Sequence, residues 1–246
     1  MGTLLKWEMK QTFSSKAFWI IGGALVTLPA LMLFATLKLA GDDATGYNAF
    51  LEGLSNYNAF VIFLIGVFAG IHVTGAFEAR KIQSAVMAGN SRFAILMAKF
   101  ISFSTAVALY SVVSIAISSV LAFGMQGING LDGSFARVII ARALVYIRVE
   151  IAYSATCFFA SMLIRHQGGA IGLNTGLMLM SNVVTQILLN FEWAENIIKF
   201  TPVGQSMLVL YDISNGNIAM ALASSVAAVA AVISLSYVRF RREELK

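Results

Sequence analysis

Six apolar stretches recur along this chain, and each is long enough to cross a lipid bilayer as a helix. They lie at about 17–38, 58–76, 99–123, 139–164, 169–189 and 218–238. A bilayer core requires roughly 20 apolar residues in a helix. Lipid offers no partner to backbone polar groups, so stretches of this kind form helices with internal hydrogen bonds. The sequence therefore predicts an all-α integral membrane protein with six transmembrane helices.

The composition is that of a membrane protein and not of a soluble domain. Of the 246 residues, 59% are hydrophobic and only 12% are charged. A soluble domain carries about 25% charged residues, since its surface faces water. Six spans leave no room for a second domain, so we expect one transmembrane domain over residues 1–246.

The basic residues predict the orientation of the spans. With six spans, the two ends of the chain, the loop between the second and third spans and the loop between the fourth and fifth lie on one side. That side carries twelve basic residues: Lys6, Lys10, Lys16, Arg80, Lys81, Arg92, Lys99, Arg165, Arg239, Arg241, Arg242 and Lys246. The opposite loops carry three: Lys38, Arg137 and Lys199. Lysine and arginine accumulate in cytoplasmic loops, so we expect both termini in the cytoplasm.

Sequence motifs for catalysis, metal binding and nucleotide binding are missing from the chain. It has two histidines, His72 and His166, and one cysteine, Cys157, and these do not form a zinc-binding pattern. It also lacks a P-loop for ATP. We therefore predict no catalytic residue, no metal site and no cofactor in this chain. His72 lies within the second apolar stretch, where it is either a hydrogen-bonded packing residue or a proton carrier.

Small residues cluster inside several of the predicted spans. They occur at Gly22, between Gly66 and Gly70, and between Gly168 and Gly176. Glycine and alanine let helix backbones approach closely in lipid. This pattern predicts a tightly packed bundle, with a dimer interface as a further interpretation.

A short polar helix is predicted between the second and third apolar stretches, in the segment FEARKIQSAVMAGNSRFAILMAKF at 77–100. Ile82 and Val86 share one helical face. Gly89 and Asn90 fit a helix stop, and Ser91 fits the cap of the next helix. The helix is either a surface anchor at the headgroups or a docking surface for a cytoplasmic partner.

The N-terminal segment has the pattern of a helix that lies in the plane of the membrane surface. Leu5, Met9 and Phe13 recur at helical spacing, and Trp7 and three lysines surround them. An apolar stripe beside basic residues is typical of interfacial helices. The alternative is a frayed basic tail.

Charged residues interrupt the fourth apolar stretch. Arg148 and Glu150 lie in its predicted outer half, and Arg142 lies near its outer end. A charge near the bilayer centre costs about 2.5–3.5 kcal/mol on insertion scales, so it normally faces a bundle interior or a water-filled path. Arg148 and Glu150 are either anchors at the outer interface or part of a translocation path. Because they are two residues apart, we expect them to face different sides of the helix.

Several of these segments resemble the permease subunits of type-2 ABC transporters. In that family a glutamate opens the second cytoplasmic segment, and an arginine and a lysine seven residues apart lead into the third span; Glu78, Arg92 and Lys99 match this pattern. The segment at 4–20 resembles the family's interfacial helix. The segment FEWAENIIKFTPVGQSM at 191–207 resembles its short outer helices, which re-enter the bilayer before the last span.

The resemblance implies an ATP-driven exporter that works as a dimer of permeases in the bacterial cell membrane. ATP and Mg²⁺ would be bound by a separate ATPase, which would contact a coupling helix through Glu78, Ile82, Val86, Met87 and Arg92. The short outer loops are similar to those of small permeases that export amphipathic or antimicrobial peptides. Two alternatives stay open: an ion-coupled secondary transporter, for which Glu150 is the candidate ion-binding acid, and a membrane assembly protein without transport activity.

Overall fold

The described part of the chain forms a succession of helices. The structure, a computed structural model, describes residues 2–40, 45–127, 135–188, 190–191, 194, 198, 200–202, 204–205 and 215–242. The helices are α1 (Gly2–Phe13), α2 (Lys16–Ala40), α3 (Gly46–Ala69), a π-helical turn (Gly70–Thr74), α4 (Gly75–Glu78), α5 (Lys81–Met87), α6 (Arg92–Gln126), α7 (Phe135–Leu163), α8 (Gln167–Leu188) and α9 (Asn215–Arg242).

Five of the predicted spans correspond to helices long and apolar enough to cross a membrane. Within the described residues these are Lys16–Leu39, Arg92–Gln126, Ile139–Leu163, Gln167–Leu188 and Ala219–Arg241. The helical nature of these five stretches is therefore confirmed, and their length and hydropathy are consistent with a membrane protein.

The predicted second span differs from the observed helix in length and shape. Two segments, Gly46–Val61 and Phe63–Glu78, meet at a bend of 44° and form a sixth span only if they are counted together. The prediction started at 58 and left the preceding stretch, which contains Glu52, in an outer loop. The start at Gly46 has a local cause: the hydroxyl of Thr45 accepts a hydrogen bond from the backbone N–H of Asn48 and caps the helix.

The first half of α3 was not predicted as part of a span, because its apolar residues occupy only one face of the helix. Phe50, Leu54, Tyr57 and Val61 follow helical spacing and are buried, whereas Glu52 is exposed. An amphipathic stretch has a lower mean hydropathy than a lipid-facing one. A search for wholly apolar stretches therefore finds only its second half.

Helix α6 lies at the centre of the bundle. It contacts α1, α2, α3 and α7, and α9 packs mainly along α7. At 35 residues α6 is about 52 Å long, which exceeds the hydrocarbon thickness of about 30 Å. One end of α6 must therefore extend beyond the hydrocarbon region.

Several glycines permit close helix contacts in this bundle, and Gly22 and Gly70 are two of them. A Cβ atom on Gly22 would lie 2.3 Å from a ring carbon of Tyr110, which joins α2 to α6. A Cβ atom on Gly70 would lie 2.6 Å from the Ile171 side chain of α8. Small residues thus permit close packing at Gly22 and Gly70. At Gly168, Gly172 and Gly176 a Cβ atom would meet no atom within 4 Å.

The predicted re-entrant outer helices fall on 191–207, most of which lies outside the described residues. Ala194, Ile198 and Gln205, which are described, are buried. The re-entrant arrangement stays a prediction.

Candidate functional site

The structure brings four sequence-distant segments together at one end of the bundle. These are α1, the α4–α5 segment, the loop between α7 and α8, and the C-terminal end of α9. Glu8 of α1 contacts Lys99 of α6, and Arg92 at the start of α6 contacts the end of α9. Glu78 of α4 contacts His166 in the loop between α7 and α8. They are the segments that carry most of the basic residues, and we call this region the basic end. Its location in the cytoplasm stays a prediction.

The surface helix α5 begins after a sharp break in the backbone. Glu78 is the last residue of α4, and Arg80 adopts a left-handed conformation with φ of 53°. A non-glycine residue in this region is uncommon and cannot continue a helix. The predicted polar helix that opens at Glu78 is therefore divided at Arg80, and α5 runs from Lys81 to Met87.

The exit from α5 follows the predicted stop and cap. Gly89 has φ of +84°, its N–H donates to the carbonyl of Val86, and the N–H of Asn90 donates to the carbonyl of Ala85. This pair of bonds is a Schellman motif. The hydroxyl of Ser91 then accepts a bond from the N–H of Ala94 and caps α6. The helix stop and the cap are confirmed, and only a short turn separates α5 from α6.

The predicted coupling residues occupy different environments. Met87 is 81% exposed, and Glu78 is also exposed. Val86 is half-buried against the core, and Ile82 is only 3% exposed and lies within it. Ile82 therefore fastens α5 to its own bundle, and the surface that a partner can reach is formed by Met87, Glu78 and the basic residues nearby.

Arg92 connects the start of α6 to the end of α9. Its Nη1 donates to the carbonyl oxygens of Phe240 and Arg241 at 2.8 and 3.0 Å, and its guanidinium lies 5.8 Å from the Phe240 ring. The last carbonyl groups of a helix have no partner within that helix and carry partial negative charge. Arg92 thus caps α9 from another helix.

The N-terminal segment is helical, as predicted, and its apolar stripe is half-buried. Leu5, Met9 and Phe13 are all partly covered, and Trp7 is 46% exposed. The helix packs along α6, so it is not a frayed tail. Its position in the plane of a membrane surface stays a prediction.

The most buried face of α1 is polar, which the apolar stripe did not indicate. Glu8 and Thr12, one turn apart, are 3% and 0% exposed. The carboxylate of Glu8 accepts a hydrogen bond from the ammonium of Lys99 at 3.1 Å, and Lys99 is itself 4% exposed. The sequence did contain a signal for this buried polar face. Glu8 is the only acidic residue before Asp42, and it lies one helical turn from a threonine.

His72 lies in the π-helical turn and is a hydrogen-bonded packing residue in this structure. Its Nε2 lies 3.1 Å from the hydroxyl of Ser102, and that hydroxyl donates its one proton to the carbonyl of Lys99. Nε2 is therefore the donor to Ser102. The ring lies beside Phe68 and Phe103 and is nearly parallel to both, with ring centroids 5.5 and 6.2 Å away. Single π-helical turns occur frequently at functional sites, and this one adjoins the Glu8–Lys99 pair.

Arg148 and Glu150 face different sides of α7, as predicted. Arg148 is exposed and lines a groove of 350 Å³ between α7 and α9, together with Ser225, Val229 and Ile233. Lipid disfavours an exposed arginine within a span, so this face of α7 is a candidate for contact with water or protein. Whether Arg148 lines a translocation path stays a prediction.

Glu150 is fully buried, and neither of its carboxylate oxygens has a hydrogen-bond partner of acceptable geometry among the described residues. The side chains of Tyr57, Tyr146 and Tyr153 lie within electrostatic range of it. The Tyr146 hydroxyl is 3.4 Å from the carbonyl oxygen of Leu54. Burying a carboxylate is costly, so Glu150 is a candidate functional group of α7.

No family model and no curated protein matches this chain. Within the described residues, no three His, Cys, Asp or Glu side chains lie close enough together to hold a metal ion.

Proposed function

We propose that this chain is the membrane subunit of an ATP-driven exporter in the bacterial cell membrane. It would act as a dimer with a separate ATPase, which binds ATP and Mg²⁺, and its cargo would be an amphipathic or antimicrobial peptide. The catalytic step would take place in the partner, so this chain would not itself be an enzyme. The basic end would face the cytoplasm, in keeping with the distribution of lysine and arginine.

The observation that carries the proposal is the way α5 is attached. Ile82 fastens α5 to the core, and a Schellman motif and a serine cap join it directly to α6. A force applied to the surface of α5 would therefore reach a 35-residue helix at the bundle centre. The exposed Met87 and Glu78 offer an apolar contact and a carboxylate to a partner, and charge-assisted hydrogen bonds of a carboxylate are strong.

Site-specific cross-linking tests the partner. Cys157 is the only cysteine, so Cys157→Ala provides a background for Met87→Cys and for a control, Leu39→Cys, which is 89% exposed at the opposite end of α2. We expect Met87→Cys to cross-link to a P-loop ATPase in native membranes. Leu39→Cys should not do so. Equal cross-linking from both positions, or none from Met87→Cys, would contradict the proposal.

Reconstitution tests the coupling. With that ATPase in proteoliposomes, Met87→Asp should lower cargo-stimulated ATP hydrolysis and export at least about tenfold, because it places a charge in an apolar contact worth more than 1.4 kcal/mol. Leu39→Asp is the matched control and should leave hydrolysis unchanged. If Met87→Asp keeps wild-type cargo-stimulated ATP hydrolysis and export, α5 is only a surface anchor.

Glu150 favours a second candidate, an ion-coupled secondary transporter. A buried acid next to three tyrosines is an arrangement found at proton- and cation-binding sites within spans. Such a transporter would move its cargo in vesicles energised by a proton or sodium gradient without ATP. Transport that needs ATP and is indifferent to both gradients would exclude it.

A further inference from the structure

A cavity of 470 Å³ opens at the basic end, beside the functional segments already described. It lies between α1, the π-helical turn, α5, α6 and the start of α8. Its polar lining comprises Gln11, Ser14, Ser15, His72, Lys81, Lys99 and Gln167. Its volume is in the usual range for ligand-binding pockets, which is about 300–1,000 Å³.

The charge lining this cavity is positive. Lys81 and Lys99 both line it, and no acidic residue is among its described lining residues. The carboxylate of Glu8 lies 3.1 Å from the ammonium of Lys99 and neutralises its charge. Lys81, in contrast, is exposed. Lys81, Lys99 and His72 are within electrostatic range of one another. Two lysines against one carboxylate leave a net positive charge that an anion would stabilise.

Hydrogen-bond donors also converge on the cavity. The ammonium of Lys99 has three N–H donors, and the contact with Glu8 uses one of them. The side-chain oxygen of Gln11 is buried without a partner among the described residues. Rotating that amide by half a turn presents its NH₂ group, because its nitrogen and oxygen are interchangeable in shape. Lys81 and Gln167 supply further donors at the opening.

One wall of the cavity is apolar. Phe68, Ile71 and Ala76 line it next to the basic groups. A site with charged donors on one side and an apolar wall on the other is suited to a molecule of mixed character. A phospholipid headgroup, whose phosphate is joined to a glycerol and acyl chains, has that character.

We propose that this cavity binds a phosphate anion, the group common to an anionic lipid headgroup and to free phosphate, between Lys81, Lys99 and Gln11. A bound anion would join α1 to α5 across the opening. The site does not depend on the exporter function, since it would hold in either class of transporter.

Native mass spectrometry of the full-length chain tests the site with phosphatidylglycerol, phosphatidylcholine and inorganic phosphate as probes. Lys81→Gln removes one cavity charge, and Lys10→Gln, on the exposed side of α1, removes an equal charge outside the cavity. One bound phosphatidylglycerol is expected for the wild type and for Lys10→Gln. In Lys81→Gln its affinity should fall roughly fivefold, which corresponds to about 1 kcal/mol. Lys81→Glu should abolish it.

The three probes identify the source of the phosphate. If the protein retains phosphatidylglycerol but not phosphatidylcholine, and only the Lys81 variants weaken that retention, the result supports the site. The phosphate is then that of a lipid headgroup. If inorganic phosphate stabilises the wild type against heat but not Lys81→Gln, and no lipid adduct is seen, the result also supports the site. The ligand is then free phosphate. Equal behaviour of the Lys81→Gln and Lys10→Gln proteins with every probe would overturn the proposal, since both lysines are exposed and both replacements remove one charge.

Discussion

The Glu8–Lys99 pair is expected to hold the N-terminal helix on the bundle, and its removal gives a measurable prediction. Both side chains are about 95% buried, at 4% and 5% relative exposure, and their polar atoms are 3.1 Å apart. Neutralising one partner of such a pair leaves an uncompensated buried charge, which costs about 3–5 kcal/mol. Neutralising both removes that penalty, so the double variant should be close to the wild type.

Detachment of α1 can be followed through Thr12, which is 0% exposed on the same face of the helix. In a Cys157→Ala background, Thr12→Cys should react slowly with a maleimide. A loss of about 3 kcal/mol raises the detached population roughly 150-fold, so Glu8→Gln or Lys99→Met should accelerate labelling by about two orders of magnitude. Glu8→Gln combined with Lys99→Met should return the rate nearly to that of the wild type.

The matched control is Lys10→Met, which removes an exposed lysine from the same helix. Surface substitutions usually change stability by less than about 0.5 kcal/mol, so its labelling rate should stay within about twofold of the wild type. If the two single effects simply add in the double variant, Glu8 and Lys99 are not energetically coupled. In that case apolar packing alone would hold α1.

Three further substitutions have defined outcomes. Gly22→Ala should lower the unfolding free energy by about 1–3 kcal/mol, because its Cβ meets Tyr110, whereas Gly23→Ala meets nothing and should not destabilise; chemical denaturation in detergent measures both. Arg92→Lys should cost about 1–3 kcal/mol in the same assay, because the shorter lysine side chain places its nitrogen farther from the two carbonyl groups of α9 and lacks the planar guanidinium beside the Phe240 ring. Glu150→Gln should stabilise the fold, because it removes a fully buried acid. A loss of transport in the stabilised variant would assign Glu150 to function, and wild-type transport would exclude it from the ion-coupled mechanism.

Hydropathy located the five helices that are long and apolar enough to cross a membrane, because lipid leaves few alternatives to an apolar helix. It failed on α3, where Phe50, Leu54 and Val61 form a buried face and Glu52 stays exposed. A helix covered by neighbouring helices needs only one apolar face. Which faces are covered depends on the packing of the whole bundle.

The local signals at α5 were readable because they depend on neighbouring residues. Gly89 and Ser91 act within their own turns, and the structure places both as predicted. The break at Arg80 had no comparable signal, since a positive φ at arginine has no composition pattern. The burial of Ile82 in its own core, in place of a partner, also depends on contacts that are distant in sequence.

The spacing of Arg92 and Lys99 acquires a physical meaning from these contacts. Seven residues are nearly two helical turns, so both side chains leave α6 in about the same direction, roughly 10 Å apart along its axis. Arg92 reaches the end of α9, and Lys99 reaches α1. Ser102, about one turn further, accepts the hydrogen bond from His72 in the π-helical turn. Three structural elements are therefore fastened to the first three turns of α6, directly after the turn that joins it to α5. A displacement of α5 cannot move the start of α6 without straining or breaking these polar contacts. These contacts are the physical route by which such a displacement would reach the bundle.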